Sequence, residues 1–120
     1  MKTILIADPD SASRNALALI LKHRFGVEQV REAGDVETLI RSLADCPPGL
    51  LLLDWFLCGA PAPEACILLR KAYPTLNIIL LSADANDGVA AHVAEVSFFH
   101  KGAEPEHLME TLSDILKEEK

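Results

Sequence analysis

A chain of 120 residues, half of them hydrophobic, suits one compact domain with a real core, and only 5% aromatics means a core of Leu, Ile, Val and Ala. A formal net charge of -7 argues against a nucleic-acid surface, which needs clustered Lys and Arg, and against an anionic membrane face. The opening run, Met1 to Ala7, is too short for a secretory leader, and no segment approaches the roughly 20 apolar residues of a membrane span. Cysteines stand at 46, 58 and 66, an odd number with no zinc-ligand spacing. Reduced thiols acting as small apolar side chains are expected, in a cytoplasmic protein.

The hydrophobic period changes repeatedly along the chain. Thr3 to Ala7 is a continuous apolar run, as a strand covered on both faces would be. Residues 12–24 follow helical spacing, with Leu17, Ile20 and Leu21 on one face; Asp10 or Ser11 can cap this helix and Gly26 can end it. Val27 to Ala33 alternates weakly and predicts a short strand near an edge. Asp35 can cap a second helix that turns Val36, Leu39, Ile40 and Leu43 inward, before Pro47, Pro48 and Gly49 break the chain.

The run "LLLLD", residues 50–54, is a second buried strand ending in an aspartate. A Gly-, Ala- and Pro-rich loop follows over 55–63. Pro63 sits in the first turn of a third helix reaching about Tyr73, where Pro74 stops it. "NIILLSA", residues 77–83, is a third apolar run. Residues 86–95 predict a short fourth helix that Gly88 weakens. "VSFFHK", residues 96–101, is a fourth buried-strand candidate. Pro105 opens a last helix with Leu108, Leu112, Ile115 and Leu116 as its apolar stripe.

Five β-α units in succession imply a parallel sheet with helices on both faces. One domain over residues 1–120 is expected, with no output domain in this chain. In open α/β sheets ligands bind beyond the carboxyl ends of the strands. Asp8, Asp54, Ser82 and Lys101 mark four of those ends, far apart in sequence but on one edge of the sheet. Clustered carboxylates raise each other's pKa unless a cation lies between them. Few hard oxygen ligands suit Mg²⁺ or Mn²⁺ with a phosphate. A lysine and a serine can hold phosphoryl oxygens, and an aspartate beside a cation can attack phosphorus. Asp10 can either join the metal pocket or cap the first helix. The four histidines show no ligand spacing, and Trp55 reads as loop packing.

This set resembles the receiver domain of two-component response regulators, the chemotaxis-type fold, over essentially the whole chain. The resemblance is carried by "ILIADPD", "LLLLDW", "IILLSA" and "FFHKGAEPEHL". It implies a flavodoxin-like three-layer doubly wound (βα)5 fold with a five-stranded parallel sheet, order 2-1-3-4-5. It also implies Asp54 as phosphoacceptor, with Ser82 and Lys101 as phosphoryl-binding groups. The metal ligands would be Asp8, Asp54, the main-chain carbonyl of Phe56 and, in the alternative to capping, Asp10. Phe98 would be the aromatic that swings inward on activation; ordinary core packing is the other reading.

The chain departs from the family pattern in places. Pro9 stands where a second adjacent acid is usual. The loop "WFLCGAPAPEA" lacks the usual Met-Pro. Gly102 replaces the proline common after the lysine, and a cis peptide there would lack proline's discount. The implied function is a signalling switch, not an enzyme beyond its own phosphorylation and dephosphorylation chemistry. Its implied partners are a sensor histidine kinase or a histidine phosphotransfer domain, a downstream protein or output domain, and a second copy through the fourth and fifth helices. Direct contact with nucleic acid or membrane is not expected. One alternative is a degenerate receiver that binds partners without phosphate. Another is a haloacid-dehalogenase-like phosphatase, suggested by Asp8-x-Asp10, although Ala12 stands where that motif wants Thr or Val.

Overall fold

A computed structural model describes residues 3–57, 62–84, 86–88, 91, 97–101, 110 and 112–113. The elements in chain order are β1 (Ile4–Ala7), α1 (Ser11–Phe25), β2 (Val30–Ala33), α2 (Val36–Asp45), β3 (Leu50–Asp54), α3 (Ala62–Ala72), β4 (Asn77–Ser82) and β5 (Ser97–His100). All five strands are parallel, in the order β2-β1-β3-β4-β5. The chain leaves β1 toward one edge for β2, then crosses to the other side for β3. The strand order therefore reverses beside β1, where a crevice opens at the carboxyl ends.

The apolar strand runs are continuous because both sheet faces are covered. Side chains alternate between faces. Leu5, Ala7, Leu51, Leu53 and Leu80 join Leu39, Leu43 and Cys66 in one core, from α2 and α3. Ile4, Ile6, Leu50, Leu52, Ile79 and Leu81 join Ala18 and Leu21 of α1, with Leu112, in the other. Cys46 is exposed.

Each described helix end has a local cause. The Asp10 carboxylate accepts the Ala12 N–H and caps α1, and Gly26 closes it in the left-handed region at φ 61°. Asp35 caps α2 by accepting the Thr38 N–H at 2.7 Å. At the far end of α2, Arg31 from β2 donates to the Ser42 carbonyl, the Ser42 hydroxyl and the Cys46 carbonyl. Pro63 lies in the first turn of α3, and the helix ends at Ala72, two residues before Pro74.

Three expectations are corrected. The second strand begins at Val30, not Val27, because the Val27 N–H is spent on the Leu21 carbonyl at the end of α1. Ile40 does not face the core: it is 58% exposed, and only Leu39 and Leu43 of α2 are buried. Ile40→Lys is accordingly expected to change the urea-unfolding free energy by no more than about 0.5 kcal/mol. β5 is not a buried strand: among the described residues it pairs with β4 alone, at the sheet edge, and Phe98, Phe99 and His100 are half-buried.

Asp87, Gly88 and Ala91 are helical, as are Glu110, Leu112 and Ser113. The rest of the fourth and fifth helices lies outside the described residues, with Cys58, His92, Val96, Gly102, Pro105, His107, Leu108, Ile115 and Leu116. Among the described residues no helix is long and apolar enough to cross a membrane.

Candidate functional site

Parallel pairing places the strand ends side by side. Ala7 lies opposite Leu53, so Asp8 and Asp54 leave neighbouring strands at the same level. Ser82 ends β4, and the Lys101 N–H donates to the Ser82 carbonyl at 2.7 Å as the chain leaves β5. Asp8, Asp54 and Ser82 are the buried polar residues among those described, at 2%, 5% and 1% exposure.

Two buried carboxylates at one level would repel strongly. Lys101 resolves this. Its Nζ lies 2.8 Å from Asp8 Oδ2 and 2.5 Å from Asp54 Oδ1. The remaining oxygens are satisfied alike: Asp8 Oδ1 accepts the Asp10 N–H at 2.9 Å, and Asp54 Oδ2 accepts the Phe56 N–H at 3.0 Å. Each acid thus bridges an ammonium and an amide two residues ahead. Burial pulls the Lys101 pKa down, but its hydrogen bonds to Asp54 and Asp8, and the attraction of both charges, hold it above its usual value.

Asp10 does not join the pair. Its Oδ1 accepts the Ala12 N–H and its Oδ2 accepts the Ser13 hydroxyl, each at 3.0 Å. The Ser13 and Ala12 hydrogen bonds keep its pKa below the ordinary value. Of the two roles open to it, the structure shows the helix cap. Among the described residues no three acids, histidines or cysteines gather around a common point. Asp8 and Asp54 are the two carboxylates that the strand ends bring together on Lys101. Two carboxylates meet the requirement of Mg²⁺, which binds through one or two of them and keeps several waters.

Ser82 points elsewhere. Its hydroxyl donates to Asp87 Oδ2 at 2.6 Å and accepts the Asp84 N–H at 3.1 Å. Asp87 was missed in the sequence; an acid five residues after a strand-end serine, at the start of a helix, is the signal that could have found it. Next to it, the Phe98 ring packs on Gly88, where an added Cβ would lie 3.2 Å from the ring. Phe98 is half-buried and packs against the α2/α3 core, as does Trp55. The Phe56 side chain is 71% exposed. A cavity of about 220 Å³ opens beside the pair, lined in part by Asp8, Leu17, Ile20, Phe99 and Lys101.

A flavodoxin-like sheet whose crevice holds two acids and a lysine, in place of a Ser/Thr phosphate loop, defines a class of acidic-pocket α/β domains. The comparisons give the family: a model of the response regulator receiver domain matches residues 4–113, and the chain belongs to that family. A receiver is a signalling domain of two-component systems rather than a classical enzyme. It works with histidine kinases and output domains, and its chemistry generally depends on Mg²⁺.

Similar proteins include the DNA-binding transcriptional regulator NtrC of Azospirillum brasilense, 34% identical over 94% of this chain and 23% of the relative. The phosphate regulon regulatory protein PhoB of Pseudomonas aeruginosa is 30% identical over 97% of this chain and 52% of the relative. The chain thus spans about half or less of the length of these curated relatives. Among solved structures, the isolated receiver of RcsB from Salmonella enterica, with phosphomimetic beryllofluoride, has a TM-score of 0.86 at 21% identity, covering 97% of this chain and 88% of that one. A CheY-like receiver from Methanospirillum hungatei has a TM-score of 0.81 at 24% identity, covering 98% of this chain and 95% of that one. At those identities the likeness concerns the fold.

Proposed function

We propose that this receiver accepts a phosphoryl group on Asp54 from the phosphohistidine of a sensor kinase or phosphotransfer domain, and that the modification switches a protein-binding surface. The observation that carries this reading is the Lys101 ammonium bridging two buried carboxylates at the strand ends. A carboxylate held against a cation is a nucleophile toward phosphorus.

In the transfer, an Asp54 oxygen forms a bond to phosphorus while the phosphorus–nitrogen bond of the donor breaks, and the electron pair stays on the imidazole. Lys101 follows the charge from the carboxylate to a phosphoryl oxygen. Ser82 leaves Asp87 and donates a hydrogen bond to a second phosphoryl oxygen. The change at Ser82 passes to Gly88 and so to the packing of Phe98. Attack of water on phosphorus later breaks the phosphorus–Asp54 oxygen bond and returns the carboxylate. Asp8, Asp54 and the Phe56 carbonyl would hold Mg²⁺, which supplies charge neutralisation at the phosphoryl group. Output goes to a downstream protein or an attached domain, and a second copy would meet this one through the fourth and fifth helices.

The test is an intact mass after incubation with acetyl phosphate and Mg²⁺. Wild type is expected to gain one phosphoryl group, and Asp54→Asn none. A folded wild type that gains nothing at saturating donor would instead support a receiver that binds partners without phosphate. Pro9, in place of a second acid, favours that second reading. Turnover of a phosphate ester lost with Asp8→Asn would point to a phosphatase.

A further inference from the structure

Arg14 has no part in the chemistry above, yet it sits in a socket built by three segments. Its Nη1 donates to the Asp8 carbonyl at 2.6 Å, and its Nε lies 3.3 Å from Glu32 Oε1 on β2. The side chain is only 17% exposed. The third wall is Gly34, at the start of the β2–α2 connection: a Cβ there would lie 2.9 Å from Nη1. The guanidinium therefore lies in a space that exists because residue 34 carries no side chain.

The corner it holds is unusual. Pro9 contributes no N–H, and its ring restricts the backbone of Asp8. Asp8 is otherwise tied by its N–H to the Ala33 carbonyl and by its carboxylate to Asp10 N and Lys101 Nζ. All these bonds leave its carbonyl for Arg14, whose fork reaches from α1 to tie the Asp8 carbonyl and Glu32 of β2 in one rigid plane.

We infer that Arg14 is a positioning residue: seated on Glu32 and Gly34, it holds the Asp8–Pro9 corner so that the Asp8 carboxylate stays turned toward Asp54, where the two acids would hold a divalent cation. This rests on the proposed metal role of Asp8 and Asp54. Groups that orient a metal ligand typically change metal affinity by about tenfold or more when removed.

The experiment titrates wild type, Arg14→Met, Arg14→Lys, Gly34→Ala and Asp8→Asn with Mg²⁺ or Mn²⁺. It follows the fluorescence of Trp55, the single tryptophan of the chain, with a thermal melt of each variant beside it. Arg14→Met is expected to raise Kd about tenfold. Gly34→Ala, which keeps the arginine but displaces its tip, is expected to raise Kd in the same direction. Arg14→Lys is expected to fall between, because an ammonium can reach the carbonyl or Glu32 but lacks the fork. At saturating Mg²⁺ the phosphorylation rate of Arg14→Met is expected to return to that of wild type, the mark of an effect on affinity. Unchanged Kd in Arg14→Met and Gly34→Ala, with or without a lower melting temperature, would overturn the positioning role alone. A wild type whose fluorescence and melting temperature ignore both metals would overturn the metal reading and this inference with it.

Discussion

Lys101→Met is expected to destabilise the domain by about 3 kcal/mol at neutral pH, the low end of the range for breaking a buried ion pair. The low end applies because 28% of the lysine side chain still meets solvent. The cost arises on the other side of the bridge: Asp8 and Asp54, both buried, would face each other with no cation between them. Adding Asp54→Asn to Lys101→Met should recover much of the loss, since Asp8 then has no second carboxylate beside it. Urea unfolding of the three proteins at neutral pH checks this, and a double variant no more stable than Lys101→Met would refute it. The folded state raises the Lys101 pKa above 10.5, so the bridge contributes in full below that value and is lost as pH rises through the raised pKa.

Asp87→Ala is expected to speed phosphorylation of Asp54 by acetyl phosphate about tenfold. A hydroxyl has one proton to donate, and here it is committed to the Asp87 carboxylate at 2.6 Å. Hydrogen bonds to charged groups contribute about 1.5 kcal/mol or more, which is roughly a factor of ten once the competing acceptor is gone. The cycle with Ser82→Ala decides the cause: with no hydroxyl to release, Asp87→Ala should have no effect on the rate. A rise that persists with Ser82→Ala would mean that Asp87 acts through its charge alone. Time-resolved intact mass gives all four rates.

The strand ends were legible because each is a local signal: an apolar run that stops at an acid, a serine or a lysine. Helix starts at Asp10 and Asp35 were legible for the same reason, a short polar side chain followed by helical spacing. Ile40 was misread because a stripe of three or four apolar positions fits the period over a range of angles, and only packing against the sheet chooses which of them it covers. The strand at 96–101 was misread as buried because composition does not say whether a second strand will lie beyond it. Arg14 passed unnoticed, since an arginine on a helix surface has no sequence mark until Glu32 and Gly34 come up beside it.

The sequence by itself determined the alternation of strand and helix, and through it which residues would end on the crevice edge. Period, caps and breakers act within a few residues, so a linear chain can carry them. Only the tertiary structure decided what those residues do to one another. Lys101 reaches Asp8 across 93 positions. Asp10 turns to its helix, Ser82 turns to Asp87, and a guanidinium seats itself over a glycine. These choices depend on the level at which parallel strands stop and on which loop closes over which, and no local pattern records that.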